Sequence, residues 1–338
     1  MTNETIKAIV TAESSISHSC ILSEEETRTR KEGNTSALRR ETLISYATET
    51  DFDDDDEPIE KTVMHSYRMP IVSGNSIRGI GRQLLITDTI DDVLGFDFGE
   101  IAAMDLPAMN AKKMAAYTAQ LFYKGGITPA GCQMVLSEAG AYDNVMNTLP
   151  FLDLLGGVYG NHHFTGSLRV GSFVPVTKET WQVYKDVFPD TEEPSLTLDE
   201  LNESLQVVRY TRMDTSRNNS EGSGLDDNTK MIFGSEVIPA GTKFFYIASC
   251  ASQNEGTQLA FRAMHTLLAR YGFVGGMVSR GHGRVHFSFL EPEKMQDALP
   301  KYHAYLTAHE KEILDALRNF PRSFQFTVSE DKKKGAKK

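Results

Sequence analysis

The sequence predicts an α+β fold, because segments with the alternation of β-strands are separated by two amphipathic helices. Residues 6–12 alternate weakly and are rich in Ile, Val and Thr, which is typical of a short strand. Residues 77–85 and 259–271 carry apolar side chains at helical spacing, and residues 285–289 alternate again. Strand-like segments lie between the helices, at residues 166–173 and 205–213 and from residue 236 onward, and the 205–237 stretch interrupts the two middle core strands. The order strand, helix, strand, strand, helix, strand therefore predicts one central sheet with two helices packed against it.

The first helix is predicted to begin directly after a tight turn. Pro70 favours an extended residue before it, and three good N-cap residues follow, namely Ser73, Asn75 and Ser76. The apolar stripe of this helix consists of Ile77, Ile80, Leu84 and Leu85. The helix should therefore pack one face on the sheet.

Two arginines, Arg78 and Arg82, lie four residues apart and share a second face of this helix. Beside bare N-terminal amides they predict an anion site. Gly79 and Gly81 each cost a helix roughly 1 kcal/mol relative to alanine, so we expect another backbone, such as a phosphodiester, to approach closely there. The alternative is a capped surface helix with ordinary arginines, since helix N-termini bind anions generically.

Three insertions interrupt the predicted core. The first, at about residues 14–66, is polar and contains eight carboxylates and no Lys or Arg within residues 49–60. We interpret this acidic run as a solvated loop, because consecutive aspartates in a flexible loop offer a metal no fixed geometry. The second insertion, at about 88–150, should form short helices. The third, at about 205–237, predicts a β-hairpin with a long flexible tip.

The predicted domain organisation is simple. Residues 1–290 should form the core with its insertions, and residues 291–330 a C-terminal extension with a helix from about 304 to 320. A Lys-rich tail at 331–338 should be disordered. Two adjacent histidines, His162 and His163, are expected to be polar loop residues, because neighbours in an extended chain point to opposite faces and do not share a metal easily.

Composition excludes several classes of protein. No apolar run is long enough to cross a membrane and the N-terminus lacks a signal-peptide pattern, so we expect a cytoplasmic protein with no membrane partner. The three cysteines are far apart, which supports neither a disulfide framework nor a zinc knuckle. No Gly-x-x-x-x-Gly-Lys-Ser/Thr motif is present, which disfavours a nucleotide hydrolase.

The charge distribution is uneven. The formal net charge is −11, which by itself argues against a nucleic-acid partner. Without the acidic run, however, the rest of the chain carries only −3. Basic residues cluster in two places, around Arg39 and Arg40 and along the third insertion at Arg209, Arg212 and Arg217. The sequence therefore predicts local basic strips on an acidic protein.

The second helix should end at Gly272, where a C-terminal glycine stop belongs. A glycine-rich loop follows at 272–284, and its glycines would let backbone amides approach a phosphate. Within it we single out Gly275, Gly276, Arg280, His282 and Arg284.

Two of these motifs together resemble a known family. The segment Pro-x-x-x-Gly-Asn-Ser-Ile-Arg-Gly-x-x-Arg at residues 70–82 resembles the motif of the RAMP superfamily, and within it the backbone subunit that coats the guide RNA in multi-subunit CRISPR effector complexes. The glycine-rich loop 272–284 resembles a second family feature in the expected order. The resemblance implies a ferredoxin-like, or RRM-like, core in which the 205–237 hairpin is a thumb that reaches over the guide RNA.

The resemblance also implies partners and site residues. The partners would be crRNA, a complementary target DNA or RNA, further copies of the chain in a filament and other CRISPR effector subunits, with no cofactor and no metal. Met213, Met231, Ile232 and Phe233 in the thumb would wedge against bases. The expected RNA-binding residues are Ser73, Asn75, Ser76, Arg78, Arg82, Arg39, Arg40, Arg209, Arg212, Met213, Arg217, Gly275, Gly276, Arg280, His282 and Arg284.

Two alternatives stay open from the sequence. One is a metal-dependent endoribonuclease that cuts target RNA with an acidic residue near the first strand, and the other is a ferredoxin-like domain that binds no nucleic acid. We expect no cleavage, because Glu13 and His18 follow the first strand where a lone aspartate would be needed, and Asp51–Asp56 lie far along the chain. The polar first insertion favours a type IV-like subunit over type III-like or type I-like relatives.

Overall fold

The strands of this chain form one central sheet with smaller sheets around it. The computed structural model describes residues 3–19, 35–52, 58–104, 111–127, 132–136, 141–160, 162–212 and 231–328. The strands are β1 (Glu4–Ala12), β2 (Thr35–Ser36), β3 (Arg40–Phe52), β4 (Pro58–Pro70), β5 (Gly126–Ile127), β6 (Cys132–Leu136), β7 (Gly157–Tyr159), β8 (His162–Phe164), β9 (Leu168–Val170), β10 (Val174–Pro175), β11 (Gln206–Arg212), β12 (Met231–Val237), β13 (Lys243–Cys250), β14 (Val285–Phe289) and β15 (Phe324–Val328).

The helices cover the sheet and build the insertions. The α-helices are α1 (Gly74–Ile86), α2 (Gly99–Ala102), α3 (Ala111–Lys124), α4 (Ala141–Thr148), α5 (Pro150–Leu155), α6 (Lys178–Tyr184), α7 (Leu198–Ser204), α8 (Glu255–Tyr271), α9 (Ala298–Ala308) and α10 (Glu310–Asn319). A π-helical segment, Thr87–Val93, continues α1, and short 3₁₀ turns occur at Val278–Arg280, Pro292–Lys294 and Phe320–Ser323. Among the described residues, none of these helices has both the length and the apolar composition of a membrane span.

Strand β1 lies in the middle of the central sheet. It pairs antiparallel with β13 on one side and with β14 on the other, and β13 also pairs antiparallel with β10 and β9. The sheet order is therefore β10, β13, β1, β14. Helix α1 connects the first of these core strands to the second, and α8 connects the third to the fourth. This arrangement confirms the predicted α+β class and its ferredoxin-like core.

Helices α1 and α8 pack on one another and on one face of the sheet. Ile77 and Leu85 of α1 and Met264 of α8 are fully buried in the main core. A Cβ atom at Gly81 would lie 2.9 Å from the Met264 sulfur, whereas at Gly79 it would meet nothing within 4 Å. The expectation that a second backbone approaches Gly81 is therefore wrong, because this glycine makes room for a side chain of the neighbouring helix.

The opposite face of the sheet is covered by α6 and α7. Phe245 of β13 points away from its neighbours Phe244 and Tyr246, and it stacks on Tyr184 at a ring distance of 5.0 Å. Phe188 packs beside it. These helices were not predicted from the sequence. Both faces of the sheet are thus shielded, which explains why β13 reads as a nearly continuous apolar run.

The second insertion and the C-terminal extension form one aromatic core. Phe122 of α3 packs on Phe151 and on Phe320, and Tyr159 packs on Phe320 and Phe324 at about 5 Å between ring centroids. Strand β15 also pairs antiparallel with β6 of the insertion. The predicted helix at 304–320 is in fact two helices that meet at His309, and both turn apolar side chains into the main core.

The first insertion contains a long hairpin that the sequence did not reveal. Strands β3 and β4 pair over thirteen residues each, from Arg40 opposite Pro70 to Phe52 opposite Pro58. The hairpin forms a two-stranded sheet, and Tyr46 and Met64 on its outer face are 70% and 58% exposed. An alternation that is exposed on one face and rich in Thr and Ser lacks the apolar signal of a packed strand. Residues 49–52 and 58–60 of the acidic run lie in these two strands, so the interpretation of that run as a loop is wrong there.

One buried histidine ties α8 to the central sheet. The Nδ1 atom of His265 donates to the Phe261 carbonyl at 2.8 Å, which leaves Nε2 to accept a hydrogen bond from the Tyr246 hydroxyl at 2.9 Å. The side chain is fully buried, and this burial lowers the pKa of His265 to about 4. The imidazole is therefore neutral in the folded protein at neutral pH.

We predict that His265 makes the fold sensitive to acid. The unfolded chain takes up this proton below about pH 6.5 and the folded protein only near pH 4, so stability should fall across that interval by up to about 3 kcal/mol. Urea unfolding at pH 7.5, 6 and 5 should show a His265→Gln variant that is less stable than the parent at pH 7.5, by a margin that shrinks toward pH 5. A margin that stays constant with pH would contradict this assignment.

Candidate functional site

Helix α1 begins with the cap that the sequence predicts. Ser73 has an extended backbone, and its hydroxyl accepts a hydrogen bond from the Ser76 amide at 3.4 Å. Asn75 is exposed and Ser76 half-buried in the first turn, so the start of the helix reaches solvent. A Cβ atom at Gly74 would overlap the Val170 carbonyl oxygen, which explains why glycine follows the cap.

Arg82 is buried and its guanidinium caps the C-termini of two helices. Its Nη2 donates to the carbonyls of Leu155 and Gly156 at 2.8 Å each, where α5 ends. Its Nη1 lies 3.4 and 3.3 Å from the carbonyls of Leu121 and Phe122, in the last turn of α3. A cation is favourable at a helix C-terminus, where carbonyl groups lack partners within the helix. This arginine therefore joins α1 to the second insertion.

Arg78 and Arg82 lie on the same face of α1, as predicted, but the two side chains have different surroundings. Both donate to the Leu155 carbonyl, while Arg82 is only 7% exposed and Arg78 is half-buried. Burial, and secondarily the charge of Arg78, lower the pKa of Arg82 to about 10, so it keeps its proton at neutral pH. The hydrogen bonds of Arg82 are directed to protein carbonyls, and the expectation that the two arginines bind an anion stays a prediction.

Residues 14–18, which we name the linking segment, connect the start of α1 to the glycine-rich loop. The Ser73 amide donates to Nε2 of His18 at 3.2 Å, and the Ser73 hydroxyl lies 3.1 Å from the same atom. Because Nε2 accepts the amide proton, His18 is neutral here. Burial, followed by the charge of Arg39, lowers the pKa of His18 in agreement with this geometry.

The glycine-rich loop is bound to the linking segment along its length. The Gly276 amide donates to the Ser17 carbonyl at 2.7 Å and the Gly283 amide to the Ser15 carbonyl at 2.8 Å. The Ser15 hydroxyl also lies 2.8 Å from Nδ1 of His282. The loop is therefore held by its own protein, and many of its amides already have partners.

Only some of the loop glycines are required by this packing. Gly283 has a φ of +86°, and a Cβ atom there would overlap the Val274 carbonyl oxygen. Gly276 has no unusual φ, it is exposed, and a Cβ atom there would lie 3.7 Å from the Ser17 oxygen, which is an ordinary contact. Gly275 has a φ of +76° and would overlap that same oxygen. The packing therefore requires glycine at positions 275 and 283. Gly276 is not required by packing, and no side chain covers its exposed backbone.

Arg280 stacks on an aromatic pair of the hairpin formed by β11 and β12. We name Tyr210, Phe233 and Ser235 the hairpin base. Its guanidinium carbon lies 4.0 Å from the centre of the Tyr210 ring, and Tyr210 stacks on Phe233 of the opposite strand at 5.6 Å and 19°. Tyr210 and Phe233 are half-buried and Arg280 is exposed. This stack joins the loop to the hairpin and places a cation over the ring of Tyr210.

The other basic residues predicted to bind RNA differ in their surroundings. Arg40 forms an ion pair with Glu236 at 3.0 Å, and Arg284 with Glu13 at 2.7 Å, so the charge of each is offset by a carboxylate. Arg39 and Arg209 are exposed beside the linking segment and on the hairpin, respectively. The side chain of Arg212 and the whole of Met213 and Arg217 lie outside the described residues, as do the side chains of Met231 and Ile232.

Several residues that organise this site were not singled out from the sequence. Ser17, whose hydroxyl lies 3.0 Å from that of Ser235 in β12, connects the linking segment to the hairpin. Tyr210 was not singled out, although an aromatic residue directly after Arg209 in a basic strand was a usable signal. Within the described ranges no group of three or more His, Cys, Asp or Glu side chains is arranged to hold a metal ion.

We predict that Arg82 and Arg78 differ sharply in their effect on stability. Replacing Arg82 with methionine removes the buried donor that serves the Phe122 and Gly156 carbonyls and should lower the free energy of unfolding by about 3 kcal/mol or more. Arg78→Met removes the same charge from a half-buried position and should cost less than about 1 kcal/mol. Urea unfolding of both variants measures the difference. Equal losses would show that the buried hydrogen bonds of Arg82 do not hold the insertion in place.

We also predict opposite outcomes for two glycines of the loop. Gly283→Ala should destabilise the protein by about 1–3 kcal/mol, because it combines a positive φ with a backbone overlap. Gly276→Ala should unfold at the same urea concentration as the parent. Gly276→Ala therefore remains usable for binding experiments, in which any loss reflects a ligand that approaches the bare backbone. A stable Gly283→Ala variant would contradict the packing described for this loop.

Comparison with known proteins gives only a distant likeness. No family model matches the chain, and no curated protein is similar to it in sequence. Among solved structures, a chain of a "Type IV-B CRISPR Complex" is similar at 19% sequence identity and a TM-score of 0.49, over 85% of this chain and 90% of that chain.

Proposed function

We propose that this chain is a guide-RNA-binding backbone subunit of a CRISPR effector complex, which polymerises along crRNA and presents it for pairing with a target DNA or RNA. Its partners are then the crRNA, further copies of the chain and other effector subunits. The proposal rests on the resemblance of residues 70–82 and 272–284 to the RAMP superfamily, together with the arrangement of these segments in the structure.

The linking segment is the observation that carries the proposal. Through His18 it contacts the cap of α1, through Ser15 and Ser17 it holds the glycine-rich loop, and through Ser17 it reaches the base of the hairpin. Two motifs about two hundred residues apart in sequence are thereby joined by hydrogen bonds into one surface. This supports a shared ligand that runs from the start of α1 to the hairpin.

The chemistry of that surface suits a ligand of variable sequence. It offers the exposed guanidinium groups of Arg39 and Arg280, the half-buried Arg78, the bare backbone at Gly276 and an aromatic pair at Tyr210. Arginines bind phosphates without regard to sequence, a glycine lets a strand approach the chain closely, and every base has a face that stacks on an aromatic ring. A subunit that must accept any guide needs contacts of this kind.

The same geometry supports a subunit that does not cut RNA. His18, the candidate general base near the first strand, uses its Nε2 to accept the Ser73 amide. Glu13 is paired with Arg284. The side chains of Asp51–Asp56 lie outside the described residues, so the endoribonuclease alternative is decided by incubating the assembled protein with complementary RNA and Mg²⁺ or Mn²⁺.

We predict that the full chain copurifies with RNA when it is coexpressed with a guide RNA, and that it elutes from a sizing column as an RNA-dependent assembly. The ratio of absorbance at 260 and 280 nm should rise well above that of the protein purified alone. A monomer without nucleic acid under both conditions would favour the alternative of a ferredoxin-like domain that does not bind nucleic acid.

Two variants of the aromatic stack sharpen this prediction. Tyr210→Leu should weaken binding of labelled single-stranded RNA by about 1–3 kcal/mol without changing the salt dependence, since a stacking contact releases no counterion. Arg280→Gln should instead flatten the dependence of log K on log salt by about 0.7. Lys185→Gln, which removes an exposed lysine on the far side of the sheet, is the control. Two variants that bind RNA like the control would remove the hairpin base from the interface.

A further inference from the structure

A cavity of about 510 Å³ opens on the side of α1 that faces the second insertion. It is lined by Asn75, Arg78 and Arg82 from α1, by Tyr123 and Lys124 from the end of α3, and by His163 from β8. Its volume falls in the range of roughly 300–1,000 Å³ that is usual for small-molecule sites. Three of these six side chains belong to the motif at residues 70–82, and the other three lie outside both motifs considered so far.

The charge of this cavity is opposite to that of the protein. Among the described residues that line it none is acidic, while two arginines, a lysine and a histidine do line it. The chain as a whole carries −11. The hydroxyl of the lining residue Tyr123 donates to Asp91, and the charge of Asp92 also acts on Tyr123. A basic concavity on an acidic protein attracts an anion and concentrates it there.

The basic groups are held in place by the fold. Arg82 binds the carbonyls of Leu121 and Phe122, which fixes the last turn of α3 and with it the position of Lys124. Gly125 follows with a φ of +87°, and the Val158 amide donates to its carbonyl at 2.9 Å. His163 lies opposite Val158 in the β7–β8 pair. Lys124 and His163 are both exposed, so their polar groups are accessible to a ligand.

We propose that this cavity binds the phosphate of a nucleotide, with Lys124 and Arg78 as the cationic ligands and His163 as a hydrogen-bond donor. A phosphate suits it because its oxygens accept several charge-assisted hydrogen bonds at once, from groups on three separate elements. The volume beside the phosphate leaves room for the attached sugar. The inference rests on the proposed function where the nucleotide belongs to the bound RNA, and the same chemistry would bind a free mononucleotide.

The test uses the full chain and a matched pair of variants on one helix. Lys124→Gln removes the charge at the cavity, and Lys113→Gln removes an identical charge from an exposed position of α3 away from it. Labelled single-stranded RNA is titrated at several salt concentrations, and binding of AMP and adenosine is measured separately by calorimetry. His163→Gln and Arg280→Gln are included, the latter to report on the hairpin base.

The expected result is that Lys124→Gln weakens RNA binding about fivefold or more at low salt and lowers the salt slope by about 0.7, with no change for Lys113→Gln. His163→Gln should lower affinity with a smaller effect on the slope. If the parent also binds AMP but not adenosine, and Lys124→Gln loses it, the cavity takes free nucleotides as well. Loss of RNA affinity without AMP binding assigns the cavity to the RNA strand.

Failure of this inference differs from failure of the proposed function. If Lys124→Gln binds RNA and AMP like Lys113→Gln while Arg280→Gln weakens RNA binding, the cavity is not a phosphate site and the proposed function stands. If the parent binds AMP through Lys124 but no RNA at any salt concentration, the phosphate site stands and the proposed function is wrong. A parent that binds neither ligand overturns both.

Discussion

The hydrogen bonds of the Arg82 guanidinium are the interaction on which the rest of the candidate site depends. A single buried cation provides donors to the carbonyls at the ends of α3 and α5, and the helix that carries it is also the first helix of the ferredoxin-like core. The insertion is therefore attached to the core by charge-assisted hydrogen bonds as well as by apolar packing. Arg78, four residues earlier on the same helix, is half-buried and also donates to the Leu155 carbonyl.

The second constraint is that hydrogen bonds connect the functional motifs to one another. The cap of α1 uses His18, the glycine-rich loop uses Ser15 and Ser17, and the hairpin base is reached through Ser235. A loop with several glycines would lose much conformational entropy on meeting a ligand if it were free. Here much of that cost is already met by folding, because the loop is bonded to the linking segment before any ligand arrives.

The core was predictable from sequence and much of the site was not, for a physical reason. Strand β1, helix α8 with its stop at Gly272, and strand β14 follow from apolar periodicity, because burial imposes that periodicity directly. The β3–β4 hairpin escaped prediction since its outer face is solvated. The role of Arg82 escaped it too: the sequence shows a charge on a helix face but not whether phosphate or carbonyl groups meet it. The contacts of Tyr210 and Ser17 depend on partners far away in the chain.

The location of β15 has a consequence for how the chain is made. Strand β15, close to the C-terminus, pairs with β6 in the second insertion, and Phe320 and Phe324 complete an aromatic cluster begun by Phe122 and Phe151. During synthesis the insertion emerges from the ribosome nearly two hundred residues before its last packing partners. Until then the apolar side chains of the insertion are not covered by these partners. Strand β1 is in the same position, because its neighbours β13 and β14 are also synthesised late. Both the central sheet and the aromatic cluster are therefore completed only when residues 243–328 have been made, and the early apolar segments are most exposed to aggregation before then.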